Sequence, residues 1–217
     1  MRAIMTVLII ALLAGWGAGA RADINVGVSA DENGLREFHL AVGDFYGYPE
    51  REVVAVRERR IPDEELPVVL FLAREARVAP SVIIGLRLGG KSWMDITYYY
   101  GRGANIYYVE TRTVSGPPYG KAIGYFKNKP KKQWKYIKLS DDDVVNLVNL
   151  KFISRRYKCS PDDVIRMRSE GRNFVDINRS AKDGKIHMKA DNSSKDKDNS
   201  GHSKSSGGKS KGKSKRK

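Results

Sequence analysis

The chain has 217 residues, with 40 Lys and Arg against 25 Asp and Glu, and a formal net charge of +15. Its single cysteine, Cys159, excludes an intramolecular disulfide, a C-x-x-C-H haem attachment and a paired-cysteine zinc site. Stability must therefore come from a hydrophobic core, and the stretch 23–177 is long enough to bury one.

The first 22 residues are predicted to be a secretory signal peptide and not part of the fold. Arg2 supplies a positive start, "AIMTVLIIALLAGW" is an apolar core, and Ala18-Gly19-Ala20 and Ala20-Arg21-Ala22 both fit an A-x-A cleavage site. The alternative is an uncleaved anchor, because the uncharged run from Ala3 to Ala20 has 18 residues, the lower edge of spanning length. Cleavage is favoured, so we expect a periplasmic or secreted chain that begins near residue 23.

Two segments separated by 81 positions repeat one phrase: "VIIGLRLGGKSWMDI" covers 82–96 and "DVIRMRSEGRNFVDI" covers 163–177. An apolar stripe opens each copy, a glycine then stands where a left-handed residue ends a helix, and a Ser or Asn three residues before an Asp predicts the start of a second helix. Each copy is therefore predicted to be a helix-turn-helix hairpin. The residues expected to define the repeat are Arg87, Gly90, Trp93 and Asp95 in the first copy and Arg168, Gly171, Phe174 and Asp176 in the second.

A long apolar helix precedes each copy, in "DEELPVVLFLAREA" and in "DDDVVNLVNLKFISRRY". A fainter third copy lies upstream in "YPEREVVAVRERRIPDEEL", where Arg60 replaces the glycine and a different cap is expected. The predicted fold class is all-α: an array of short helices with repeated helix-turn-helix hairpins over residues 23–177.

Two of the repeated residue types could also suggest chemistry. Asp95 and Asp176 could be a pair of catalytic carboxylates, but each stands at the capping position of its own hairpin, which favours a structural role. Arg87 and Arg168 are likewise predicted to hold the repeats together and not to clamp a ligand. No G-x-S-x-G motif occurs, and the three histidines lack partners at metal-ligand spacing, so the sequence predicts neither an enzyme, a metal site nor a cofactor.

The motifs carry two resemblances. The pattern "LRxxGxSWxDI" resembles the turn of helix-turn-helix modules in recombinases and transposase-like proteins, which implies nucleic-acid binding. The longer phrase "REVVAVRERRIPDEELPVVLFLAREARVAP" resembles an uncharacterised family of small exported bacterial proteins, over roughly residues 38–177. This second resemblance supports the domain boundary and implies no known activity.

The insertion 98–138 interrupts the helical pattern. "NIYYVETRTV" is rich in β-branched and aromatic residues and "SGPPYG" is a turn, so a short β-hairpin or an ordered loop is expected. The following "KAIGYFKNKPKKQWKYIK" combines basic and aromatic residues without an acid, which suggests either a polyanion-binding surface or a solvated loop whose aromatics attach it to the core. The candidate anion-binding residues are Lys121, Lys127, Lys129, Lys131, Lys132, Trp134, Lys135, Tyr136 and Lys138.

Residues 178–217 form a low-complexity segment with 13 Lys or Arg against 4 Asp, predicted to be a disordered basic tail. The sequence therefore predicts an exported, non-enzymatic helical binding or scaffold protein that attaches to an anionic polymer or membrane surface. One alternative is a helix-turn-helix-like nucleic-acid-binding protein, and another is an envelope enzyme with a cleft beside the insertion.

Overall fold

The computed structural model describes residues 32–112 and 116–186. The predicted signal peptide and the part of the basic tail beyond residue 186 lie outside these residues. The described chain is all-α, as expected. Its α-helices are α1 Glu32–Tyr46, α2 Glu50–Arg57, α3 Leu66–Ala76, α4 Pro80–Leu88, α5 Trp93–Tyr99, α6 Gly120–Asn128, α7 Asp141–Arg156, α8 Pro161–Ser169 and α9 Phe174–Lys182. Three 3-10 helices cover Asp63–Glu65, Ala104–Tyr107 and Lys131–Tyr136.

Helices α3 and α7 form the centre of the fold. They pack on each other, α1 packs on α3, and the hairpins α4–α5 and α8–α9 pack around them. Eight consecutive residues of α3, from Leu66 to Ala73, are buried because neighbours cover the helix on all sides. Burial of a side chain such as Leu70 or Phe152 stabilises the fold by roughly 2 kcal/mol.

The two predicted hairpins are confirmed in detail. Gly90 lies two residues after α4 with φ of +86°, and Gly171 lies two residues after α8 with φ of +89°. The next residue donates its backbone N–H to the carbonyl five positions back in both copies, Lys91 to Leu86 and Arg172 to Met167, each at 3.2 Å. These bonds satisfy carbonyls at the helix ends.

The predicted caps are confirmed as well. The Ser92 hydroxyl accepts from the Asp95 backbone N–H at 3.0 Å while the Asp95 carboxylate accepts from the Ser92 N–H at 3.1 Å. In the second copy the Asn173 side chain accepts from the Asp176 N–H at 2.8 Å. The Ser92 hydroxyl, at 2.6 Å, and the Ser92 backbone N–H both donate to the Asp95 carboxylate and hold its pKa below the usual value. Both aspartates thus start helices, as a structural role requires.

The faint third copy is real at the level of the backbone. Its two residues with positive φ are Gly47 and Arg60. They lie 30 positions before Arg77 and Gly90 of the first copy, and 111 positions before Lys158 and Gly171 of the second. Arg60, which was expected to cap differently, has φ of +60° and therefore adopts the conformation of Gly90. The residues that end the long helices are Gly47, Arg77 and Lys158, with φ of +81°, +58° and +52°. The array thus contains three units: α1–α2, α3–α5 and α7–α9.

Of the two forms expected for the insertion, a β-hairpin or an ordered loop, its described residues show no β-hairpin and agree with the second. Among residues 98–112 and 116–138 there is no strand; two 3-10 helices and α6 take its place, joined by ordered loop. Helix α6 forms because Ala122, Ile123 and Phe126 make an apolar stripe at helical spacing, and all three are buried. The β-branched and aromatic run does not pair as a strand because Tyr107 turns into the core, where it is fully buried.

The ordered domain also extends past the expected boundary at residue 177. Helix α9 continues through Lys182, and Asn178 is buried, with its side chain accepting from the Tyr157 hydroxyl at 2.9 Å. Ile186 is buried too. Composition misplaced this boundary because the first tail residues are polar yet make tertiary contacts.

Candidate functional site

Two arginine clusters stabilise the hairpins. The Arg87 guanidinium donates two hydrogen bonds to the Glu65 carboxylate, at 3.2 and 2.8 Å, and one to Asp141 at 2.5 Å. It also lies over the Trp93 ring, 4.6 Å from the centroid. Asp141 in turn accepts the backbone N–H of Trp93 at 2.8 Å, so it caps α5 from the other unit.

The second cluster repeats this geometry with different chemistry. Arg168 lies 4.5 Å from the Phe174 ring centroid and donates to Glu64 at 3.1 Å and to the Asn146 side chain at 3.3 Å. Glu64 accepts the backbone N–H of Phe174 at 3.2 Å. Each arginine therefore binds a carboxylate of the other unit, the kind of contact that the predicted structural role of Arg87 and Arg168 requires.

The predicted anion-binding residues form the outer layer of the insertion. Their lysines lie on α6, on the 3-10 helix 131–136 and on the links that join these helices to each other and to α7, and all seven are exposed. Within the described residues none of the seven makes an ion pair with a carboxylate; the Lys127 ammonium approaches only the Arg112 carbonyl, at 3.5 Å. We call these seven residues the lysine surface: Lys121, Lys127, Lys129, Lys131, Lys132, Lys135 and Lys138.

A packed aromatic cluster supports the lysine surface. The Trp134 ring lies 4.4 Å from Tyr108 and 5.4 Å from Phe126, and its indole N–H donates to the Lys129 carbonyl at 2.8 Å. Phe126 is buried and Trp134 is half-buried. Trp134 thus attaches the lysine surface to the core, and only part of its ring remains exposed.

Tyr136 has the opposite environment. Its side chain is 69% exposed, and the Lys135 ammonium lies 4.7 Å from its ring centroid. Tyr98 and Tyr99, at the end of α5, are also exposed, at 43% and 66%. Their place beside the lysines has no local signal in the sequence, because both tyrosines precede the lysine-rich segment by a long stretch of chain. Partial burial raises the pKa of Tyr98.

A cavity beside the lysine surface has a volume of ≈ 980 Å³ and a lining of mixed charge. Arg168 and Glu64 on its wall already bind each other, and the Asp143 carboxylate accepts the Ser140 backbone N–H at 3.0 Å. Much of the charge on the cavity wall is therefore engaged in the fold, and its described lining holds no arranged pair of nucleophile and base. Its lining includes Gly116, Pro117, Pro118, Gly120, Lys121, Asp142, Val145 and Asn146.

Two further side chains that could take part in chemistry, His39 and Cys159, are buried in the described part of the chain. His39 is buried, with Nε2 2.8 Å from the Asp63 carboxylate, and burial lowers its pKa. Burial raises the pKa of the Cys159 thiol to about 11, which keeps it protonated at neutral pH. No cluster of three His, Cys, Asp or Glu side chains in residues 32–112 and 116–186 could hold a metal ion.

No helix in the described part of the chain has the length and apolar character needed to cross a membrane. Comparison with known proteins found no matching family model, no matching curated protein and no matching solved structure.

Proposed function

We propose that this chain is an exported, non-enzymatic helical protein that attaches to anionic polymers or surfaces through the lysine surface, assisted by its basic C-terminal segment. The observation that carries the proposal is the set of seven exposed lysines without a carboxylate partner in the described residues, on a segment attached to the core. An unpaired ammonium group can approach a phosphate, sulfate or carboxylate without first breaking an ion pair, so its attraction is available to a ligand.

The support beneath the lysines adds to this argument. Backbone order is already provided by the Trp134 cluster and by the buried stripe of α6, so binding does not have to order the chain. A polyanion that contacts several lysines releases its condensed counterions, which gives affinity that falls steeply with salt. The protein is then expected to bind by charge density more than by the shape of one ligand.

The helix-turn-helix alternative has less support from the geometry. In both hairpins the second helix is mostly buried: Trp93, Met94, Ile96 and Thr97 of α5 are buried, as are six of the nine residues of α9. A helix that reads DNA bases needs a row of exposed side chains in the major groove. The enzyme alternative lacks an arranged catalytic pair among the described residues.

The test is retention on a heparin column. We would compare three proteins. They are the chain from residue 23 to 217, a version that ends at Ile186 and so keeps every described residue, and the 23–217 chain with the double substitution Lys131→Glu, Lys132→Glu. The matched control is Arg51→Glu, Arg59→Glu, which makes the same change in net charge on exposed residues in and beside α2.

We expect the version ending at Ile186 to be retained and to elute with salt, and the lysine variant to elute much earlier than the arginine control. Equal elution of the two double variants would mean that net charge alone drives retention and would overturn the proposed site. Loss of all retention on removing residues 187–217 would assign the attraction to the tail.

A further inference from the structure

Exposed tyrosines border the lysine surface on a segment distant in sequence. The Tyr98 hydroxyl donates to the Ile137 carbonyl at 3.2 Å, next to Tyr136 in the chain. The turn after α5 comes so close to the 131–136 helix that a Cβ on Gly103 would lie 2.6 Å from the Lys135 Cβ. This close approach requires glycine and brings the end of α5 beside the lysine surface.

The rings at this border are accessible to a ligand. Tyr99 and Tyr136 are 66% and 69% exposed, and Tyr98 is 43% exposed with its hydroxyl fixed. Tyr99 is steadied by an edge-to-face contact with Tyr100, at 5.1 Å between centroids. The result is a set of partly ordered aromatic faces beside ammonium groups that have no carboxylate partner in the described part of the chain.

We infer that the preferred partner of this surface is a single-stranded nucleic acid, whose phosphates contact the lysines while its bases stack on Tyr99 and Tyr136. The inference rests on the proposed function and adds the class of polymer. Alternation of cations and exposed aromatic rings suits a flexible strand with planar groups, because every base has a face that can stack. The bases of a duplex are already stacked on each other and cannot use these rings.

Two other polyanions fit the surface less well. An anionic bilayer would favour exposed Trp, Phe or Leu for insertion, yet Trp134 is half-buried and Phe126 is buried. A sulfated glycan has no planar aromatic group, so it would use the lysines and gain less from the tyrosine rings than a nucleic-acid base does. The exposed rings on this border are all tyrosines.

The test compares two probes that carry the same phosphates. Binding of the full-length chain is followed by fluorescence anisotropy with an oligothymidine and with an abasic oligomer of equal length. The basic C-terminal segment contributes charge equally to both probes. Because stacking on an aromatic ring contributes about 1–3 kcal/mol per base, we expect oligothymidine to bind roughly tenfold tighter or more.

Three variants separate rings from charges. Tyr99→Ala, Tyr136→Ala should remove the preference for oligothymidine and leave the abasic affinity unchanged, whereas Tyr99→Phe, Tyr136→Phe should keep it because the rings remain. Lys131→Glu, Lys132→Glu should weaken both probes together and reduce the dependence of affinity on salt.

Equal affinity for the two probes, or a preference that survives the alanine variant, overturns the inference. If binding is equal but still falls in the lysine variant, the proposed polyanion site stands and the ligand is recognised by charge alone. If anionic vesicles bind more tightly than oligothymidine and lose affinity in the alanine variant, the partner is a membrane surface and the inference is wrong.

Discussion

The Arg87 and Arg168 clusters have the same geometry but different chemistry. Arg87 binds two carboxylates, Glu65 and Asp141, whereas Arg168 binds one carboxylate and the amide of Asn146, which stands 81 positions after Glu65. Both guanidinium groups cover an aromatic ring at the start of the next helix. The comparison shows that the repeat preserves a position and a geometry while it allows the charge to change.

The largest effect is expected from the removal of Arg87. Arg87→Met leaves two neighbouring carboxylates without a cation, on Glu65 and Asp141 side chains that are 15% and 33% exposed. We expect the free energy of unfolding to fall by about 3 kcal/mol, since partly buried charges lose their partner. Arg168→Met leaves only Glu64, which keeps the Phe174 N–H, and should cost about half as much.

Urea unfolding of the full chain, followed by circular dichroism, measures both losses. The control is Arg166→Met, because Arg166 also pairs with two acids, Asp163 on α8 and Glu170 just after it, but its side chain is 57% exposed, so the expected cost is under about 0.5 kcal/mol. A loss for Arg168→Met equal to that for Arg87→Met would show that the second carboxylate contributes nothing.

A second difference between the repeats is a buried lysine. Lys151 stands 81 positions after Leu70, and its ammonium donates to the Ile106 carbonyl, which connects α7 to the insertion. Burial lowers the pKa of Lys151 from 10.5 to about 8. Protonation of Lys151 is therefore less favourable in the folded state than in the unfolded state. Below pH 8, where the amine is charged, this difference lowers the free energy of unfolding.

The replacement Lys151→Leu introduces the residue that α3 has at the corresponding position, Leu70, and removes the titrating amine. Below pH 8 the amine is charged in both the folded and the unfolded state, so the full free-energy cost of burying the charge applies. This cost decreases to zero as the pH rises from about 8 to 10.5. The stability of the wild type relative to the variant should thus rise by about 3 kcal/mol across this window. Thermal or urea unfolding at several pH values tests this, and a constant difference would contradict it.

The hairpins were predictable because their signals are local. Gly90, Ser92 and Asp95 lie within six residues, and each local signal matches the structure. The reciprocal bonds between units were not predictable, because Arg87 and Asp141 are 54 residues apart and Arg168 and Glu64 are 104 apart. Their proximity arises from the packing of α3 against α7, which no local pattern reports.

The candidate site shows the same limit. Composition identified the lysine surface, because exposed cations need no particular tertiary contact. It did not identify Tyr98 and Tyr99, whose position depends on the close approach of Gly103 to Lys135. It also placed Trp134 among the binding residues, because an aromatic side chain between lysines gives no indication of which way it faces until its packing on Tyr108 is known.

Smaller effects test whether the turns of the two hairpins are equivalent. Gly90→Ala and Gly171→Ala should each destabilise the protein by about 1 kcal/mol, because both residues have φ near +90° and alanine is strained there. The control is Gly85→Ala, inside α4 with open space around the new Cβ, which should stabilise by about 0.5–1 kcal/mol. Unequal losses at the two turns, measured by urea unfolding, would show that the hairpins differ in tolerance.

The smallest effect has the opposite sign. Arg77 and Lys158 end the long helices α3 and α7 in the left-handed conformation, where the related residue of the first unit is Gly47. Glycine at either position relieves strain of about 1–2 kcal/mol but raises the entropy of the unfolded chain, at a cost of about 0.5–1 kcal/mol. Arg77→Gly and Lys158→Gly should therefore stabilise by about 0.5 kcal/mol each.

Arg74→Gly, on the exposed side of α3, is the matched control and should cost about 1 kcal/mol. A loss at Arg77 as large as that at Arg74 would mean that the arginine makes contacts that outweigh its backbone strain.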